Sequence, residues 1–177
     1  MKDSQPLDDG ALVARARRGD EAAFEALYRR HRDFVAAVAA RFGAEGADGL
    51  DVLQETFLHF LRKLPAFELR AELRTFLYPI AKHLALKRKG RVSRLMPLDA
   101  EDPAVANLRA AENGRTQRRR VEELVAELPE GQREVVTLRF VDGLSLDAIG
   151  AALGIPLGTV KSRLHNALAA LRAAEGA

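Results

Sequence analysis

Between residues 154 and 168 the chain reads GIPLGTVKSRLHNAL, with Thr159, Lys161, Ser162, Arg163, His165 and Asn166 as its polar side chains. Their chemistry is that of nucleic-acid recognition. An Arg can give guanine two hydrogen bonds, an Asn suits adenine, and Lys and Ser suit phosphates or base edges. Catalytic chemistry is not legible elsewhere. The four histidines, His31, His59, His83 and His165, are dispersed and lack the i, i+4 pairing of a zinc-binding helix. There is no cysteine, so thiolate metal sites and disulfides are excluded. No Gly-rich loop leads into Lys-Ser or Lys-Thr to hold a phosphate. The pairs Asp8–Asp9 and Glu122–Glu123 fall in a tail and on a helix surface, not in an expected cleft. No enzyme, no metal and no cofactor is therefore expected. His31 falls on an apolar stripe and is expected in a core.

A polar face is useful only if something holds it out. Ser145 precedes LDAIGAAL and can cap its exposed amides, with Asp147 adding favourable charge in the first turn. Leu146, Ile149 and Leu153 recur at i, i+3 and i+7 and are expected to face a core. Gly154 permits the left-handed conformation that ends a helix, and Pro156 prevents its continuation. Val160, Leu164, Leu168 and Leu171 then begin a second apolar stripe. Cap, glycine hinge, proline and a polar N-terminal face in that order predict a helix-turn-helix whose second helix enters a major groove. The plainer alternative is a helical hairpin with a charged surface.

The rest of the chain reads as helices too. Residues 1–9 are polar and read as a disordered tail. ALVARARR forms a short helix stopped by Gly19, and Asp20 caps the next. That second helix carries Phe24, Leu27, Tyr28, His31, Phe34, Val35, Val38 and Phe42 at spacings of three and four. GAEGADG interrupts it, and Asp48 is expected to cap a third helix ending at Pro65, with Leu50, Leu53, Phe57, Leu61 and Leu64 inward. A fourth helix is expected over 71–90, with Leu73, Phe76, Leu77, Ile80 and Leu84 inward. Pro79 inside it predicts a bend or restart near 75–79. Residues 10–91 thus suffice for a four-helix domain. Residues 92–120 hold prolines and mixed charge without a sustained stripe and read as a flexible linker, with some helix around 104–112. Periodicity resumes with Val121, Leu124, Val125 and Leu128, followed by helices near 130–141, 146–153 and 158–174. The expected fold is all-α: two small helical domains, 10–91 and 121–177.

Net charge is only +3, but basic residues cluster at 82–94 and 115–120, which suits a polyanionic partner. The longest apolar stretch, FVAAVAA at 34–40, is far short of the roughly 20 residues that span a bilayer. The N-terminus has no secretory core. A soluble, cytoplasmic protein is expected.

LPEGQREVVTLRFVDGLSLDAIGAALGIPLGTVKSRLHNALAALR closely resembles the region-four domain of bacterial sigma factors, best of all the extracytoplasmic-function (ECF) group of the sigma-70 family. GDEAAFEALYRRH, DVLQETFLHFLRKL and LRTFLYPIAKHLALKRKG resemble the region-two domain of the same group. The likeness runs from about residue 11 to 172, in the family's order and spacing. It implies a transcription initiation factor that binds core RNA polymerase, directs it to promoters and helps open the duplex. A stand-alone helix-turn-helix regulator is the alternative.

The resemblance also assigns residues. Thr159, Lys161, Ser162, Arg163, His165 and Asn166 match the positions that read the minus-thirty-five element. For the minus-ten element it points to the fourth helix and the loop before it: Arg70, Arg74, Thr75, Phe76, Tyr78, Lys82, His83, Lys87 and Lys89. His83 and Lys87 would contact bases, and the loop 66–72 would hold a flipped one. Phe76 stands where the family often has Trp and is read chiefly as core packing. Asp51, Gln54, Glu55, Leu58 and Arg62 would dock on the polymerase clamp helices, the flap being a second contact. The acidic segment LDAEDPA would thread through polymerase channels. The family likeness also admits an anti-sigma factor as inhibitor.

Overall fold

A computed structural model describes residues 7–95 and 115–175, with side-chain surroundings over 7–90 and 120–174. Its elements are α1 (Asp9–Ala16), α2 (Glu21–Arg41), α3 (Gly46–Lys63), a single 3-10 turn (Leu64–Ala66), α4 (Leu73–Leu95), α5 (Arg115–Glu127), α6 (Glu130–Phe140), α7 (Leu146–Leu153) and α8 (Leu157–Glu175). No strand occurs among the described residues. The chain divides into two compact units between Ala104 and Val105.

In the first unit α2 packs against α1, α3 and α4, and α3 packs against α4. The starts of α1 and α2 have a local cause. Asp20 Oδ1 accepts from the Ala23 amide at 3.1 Å, and Gly19 takes φ +86°, the left-handed reversal that a side chain resists. Asp8 and Asp9, read from sequence as tail, belong to the fold. Asp8 caps α1 by accepting from the Ala11 amide at 2.7 Å, and Asp9 opens the helix and ion-pairs with Arg30 of α2 at 2.7 Å. His31 is buried as expected, and its Nε2 donates to Asp9 Oδ2 at 2.8 Å. Leu27, Val35, Val38, Val52, Phe60, Leu73, Leu77 and Tyr78 fill the core, each burial worth roughly 1.5–3 kcal/mol. Phe24, Tyr28, Phe57 and Phe60 interlock there, with Tyr28 edge-on to Phe57 at 4.8 Å between centroids.

Three expectations are corrected. α3 begins two residues before Asp48, which sits in its first turn, not at its cap. Leu50 and Leu61 are not core residues; they are 61% and 46% exposed. The buried arc of α3 runs instead through Val52, Leu53, Thr56, Phe57 and Phe60. α4 buries Leu73, Leu77, Tyr78, Ala81 and Ala85, whereas Phe76, Ile80 and Leu84 are only half-buried. The large residues suggested one stripe; the small alanines, which let α2 and α3 approach, decide another.

Pro79 does not restart α4, which runs unbroken from Leu73 to Leu95 and so passes Gly90, where the sequence suggested an end. Proline removes the amide that would reach the Thr75 carbonyl, at a cost of about 3 kcal/mol in a helix interior. The ring lies on the exposed side, and tertiary packing of the opposite side holds the helix through it.

In the second unit α6 packs on α7 and α8, α7 on α8, and α5 on α8. Leu128, Val136 and Ala167 form one buried cluster rimmed by Val125, Leu164 and Leu171. Val135, Leu138, Leu144, Ile149 and Val160 are buried as well. Leu146, Leu153 and Leu168 are half-buried, and Val121 is exposed. α5 begins at Arg115, inside the stretch read as linker. The helix expected at 104–112 and the LDAEDPA segment lie outside the described residues.

Candidate nucleic-acid and partner interfaces

The helix-turn-helix is built as its residues suggest. Ser145 Oγ accepts from the Ala148 amide at 3.1 Å, and Gly154 adopts φ +66° at the end of α7. The Ile155 amide then donates back to the Gly150 carbonyl at 3.0 Å. A β-carbon on Gly150 would lie 3.0 Å from the Ile155 carbonyl oxygen, so a side chain there would press on the turn. The Pro156 carbonyl accepts from the Thr159 and Val160 amides at 2.9 and 3.1 Å, which starts α8. Val160 is fully buried and anchors that start.

Lys161, Ser162, His165 and Asn166 are exposed on α8, and Thr159 is half-buried beside them. Ser162 Oγ donates to the Thr159 carbonyl at 3.1 Å, which sets its rotamer. Arg163 is different. It lies roughly 60° round the helix from buried Val160, is half-buried, and rests on Gly131 of α6, where an added β-carbon would sit 3.1 Å from its guanidinium. Arg163 is therefore at the edge of the polar face, not at its centre.

On α4 the expected DNA-facing residues separate into two groups. His83, Lys87 and Lys89 are exposed, as is Arg70 in the preceding loop, where it pairs with Glu68 at 3.2 Å. Tyr78 is fully buried, edge-on to Phe42 at 6.4 Å, and cannot meet DNA. Thr75 buries its hydroxyl, which has no hydrogen-bond partner among the described residues. Lys82 places its ammonium 5.0 Å above the Phe42 ring, and Arg74 its guanidinium 5.3 Å above Phe34. The side of α4 that looked solvent-facing thus covers the end of α2. Phe76 packs on Phe67 at 4.7 Å and Phe60 at 5.9 Å. It also lines a cavity of about 470 Å³ with Lys63, Ala66, Phe67, Glu68 and Arg70, in the loop before α4.

Asp51, Gln54, Glu55, Leu58 and Arg62 are all exposed on α3. Leu50 and Leu61 join them, at eight residues before Leu58 and three after it, spacings that share one helix face. That spacing was the missed signal. A groove of about 610 Å³ runs from Glu55, Leu58 and Arg62 to Pro79, Ile80 and His83 of α4.

Arg88 was not singled out from sequence. Its Nη1 donates to Asp51 Oδ2 at 2.8 Å and Asp48 Oδ1 at 3.4 Å, and its Nη2 to Glu55 Oε1 at 2.6 Å. Burial works against this charge, but the hydrogen bond and charge of Glu55, then Asp51 and Asp48, outweigh it and raise the Arg88 pKa above its ordinary value. Seven residues beyond Ala81 and eleven beyond Leu77, Arg88 continues the buried stripe, and a cation there signals carboxylates opposite.

Among the described residues no group of three or more His, Asp or Glu side chains could hold a metal ion. None of the described helices is long and apolar enough to cross a membrane.

Residues 27–95 match the family model of sigma-70 region 2, and residues 118–171 that of sigma-70 region 4. The ECF RNA polymerase sigma-E factors of Salmonella typhimurium and Escherichia coli K12 are each 34% identical over 181 residues, covering 95% of this chain and 94% of theirs. That of Haemophilus influenzae is 32% identical over 177 residues, covering 93% of each. Among solved structures, CnrH in complex with the cytosolic domain of CnrY matches with a TM-score of 0.66 at 27% identity, covering 96% of this chain and 98% of CnrH. The Bartonella quintana sigma factor RpoE, solved with the anti-sigma factor NepR, shares the fold at a TM-score of 0.61 and 21% identity, covering 84% and 94%.

Proposed function

Because this chain belongs to the ECF group of the sigma-70 family, we propose that its two units divide the work of promoter-directed initiation between an α3 face for core RNA polymerase and two DNA-binding surfaces. The α8 face of Thr159, Lys161, Ser162, His165 and Asn166 reads the minus-thirty-five element in the major groove, with Arg163 at its edge. His83, Lys87, Lys89 and Arg70 grip the minus-ten element. The cavity beside Phe76 and Phe67 takes an extruded base.

Opening a duplex costs a few kcal/mol per unstacked base. Stacking on an aromatic ring returns about 1–3 kcal/mol per base, and basic side chains add phosphate contacts. A cavity walled by two phenylalanines with Arg70 and Lys63 at its rim supplies both. The chemistry of RNA synthesis stays with polymerase, and this factor is not an enzyme. Its place of action is the cytoplasm, and an anti-sigma factor is a further candidate partner.

The observation that carries the proposal is the α3 face, where Leu50, Leu58 and Leu61 stand exposed among Asp51, Gln54 and Glu55. A solvated helix has no use for three leucines on one side. The test is transcription in vitro with purified chain and core polymerase. Promoter-specific initiation that requires both is expected; tight operator binding by the chain alone, with no change in start sites, would mark a stand-alone regulator instead.

A further inference from the structure

We propose that Arg88 is a positioning residue for the α3 face, holding the Asp51 and Glu55 carboxylates in the orientation that a basic surface of polymerase meets. The inference rests on the reading of α3 as the polymerase-docking face.

Asp48, Asp51 and Glu55 follow one another at i, i+3 and i+7, so their carboxylates share one stripe of α3 and repel one another. Arg88 reaches across from α4 and puts one terminal nitrogen on Asp51 and the other on Glu55. The planar guanidinium can bridge two carboxylates four residues apart; an ammonium has a single nitrogen to offer. Each carboxylate gives Arg88 one oxygen and retains the other. Three negative charges against one positive leave the stripe acidic. The Arg88 side chain is only 22% exposed, while those of Asp51 and Glu55 are about half exposed. The cation is therefore tucked behind the groups it orients, which stay open to a partner.

The sign of one substitution separates this role from two others. Removing the Arg88 charge makes the face more acidic, which by charge attraction alone would strengthen capture of a basic partner. It also frees two side chains that docking must then immobilise. A positioning role predicts that the second effect wins.

The experiment measures the affinity of the full chain for core polymerase of the source bacterium, in a cycle of Arg88→Gln with Asp51→Asn/Glu55→Gln. Arg88→Gln is expected to weaken binding roughly tenfold, the scale set by immobilising two side chains. Arg88→Lys should recover only part of that loss. In the Asp51→Asn/Glu55→Gln background, Arg88→Gln should have no further effect. Equal losses in both backgrounds would make Arg88 a structural staple and overturn the proposal. Unchanged or tighter binding by Arg88→Gln, with Asp51→Asn/Glu55→Gln still weakened, would overturn it while leaving the docking face intact. Normal binding by Asp51→Asn/Glu55→Gln would overturn the docking face and the proposal with it. Thermal melting accompanies each variant, and if Arg88→Gln melts below the assay temperature, Arg88→Lys carries the same cycle.

Discussion

Asp9 joins two helices through single atoms: one carboxylate oxygen accepts from Arg30, the other from buried His31. Burial pushes its pKa up, but the hydrogen bonds from His31 and Arg30 outweigh this and hold it below the usual carboxylate range. A folded-state pKa below the unfolded value of about 3.9 stabilises the fold at pH above that value, and the contribution is lost as pH falls through the lowered folded value. Asp9→Asn should cost about 1–3 kcal/mol at neutral pH, because it weakens two charge-assisted bonds and strands His31. Urea unfolding would show the gap to wild type narrowing as pH falls below the unfolded value of about 3.9. On α8, Lys161 and Asn166 should separate by kind of contact. Lys161→Ala should weaken DNA binding evenly across sequences and lower the salt slope by about one. Asn166→Ala should relax preference at one base position, at about 1–3 kcal/mol. Binding to a promoter panel at several salt concentrations distinguishes the two.

α4 packs against both α2 and α3, so the first unit depends on its remaining one continuous helix. Pro79 is its weak point, tolerated because Leu77, Tyr78 and Ala81 are fully buried on either side of it in sequence. Pro79→Ala restores the amide facing the Thr75 carbonyl. It should stabilise the unit by roughly 2 kcal/mol, the helix penalty less the entropy that alanine returns to the unfolded chain. Equilibrium unfolding would detect it; no gain would mean the helix has adjusted to the ring at no cost. α3 makes the opposite case, an element whose exposed side carries leucines among its charged residues. Leu58→Gln with Leu61→Gln should abolish polymerase binding at little cost in melting temperature, since both residues are about half exposed and glutamine is nearly as good a helix former as leucine. Co-purification with core polymerase, beside a melting curve, checks it.

At the scale of the whole molecule the two units carry separate surfaces on one chain. On the proposed reading, polymerase holds both DNA-facing surfaces in one assembly, so engagement of one raises the effective concentration of the other and each can bind weakly by itself. Changes on α8 should therefore alter promoter choice and leave polymerase affinity intact, and changes on α3 should do the reverse. Parallel measurement of polymerase affinity and promoter selection in the same variants tests this division. Equal loss of both properties in both sets would refute it.

The local features were legible in the residues themselves. Asp20 and Ser145 as caps, the left-handed Gly154 and the start of α8 after Pro156 depend on hydrogen bonds and sterics within a few residues of chain. Helical periodicity likewise foretold the helices. What each helix buries was another matter. α3 and α4 carry apolar residues around more than one arc, and a sequence ranks those arcs only by size and hydrophobicity. Packing chose Ala81 and Ala85 over Ile80 and Leu84, sent Leu50 and Leu61 outward, and buried Tyr78. It also set Arg163 against Gly131 and Arg88 against three carboxylates some 33 to 40 residues away. Such contacts are decided by the partner surface that arrives, and only the tertiary fold specifies that partner.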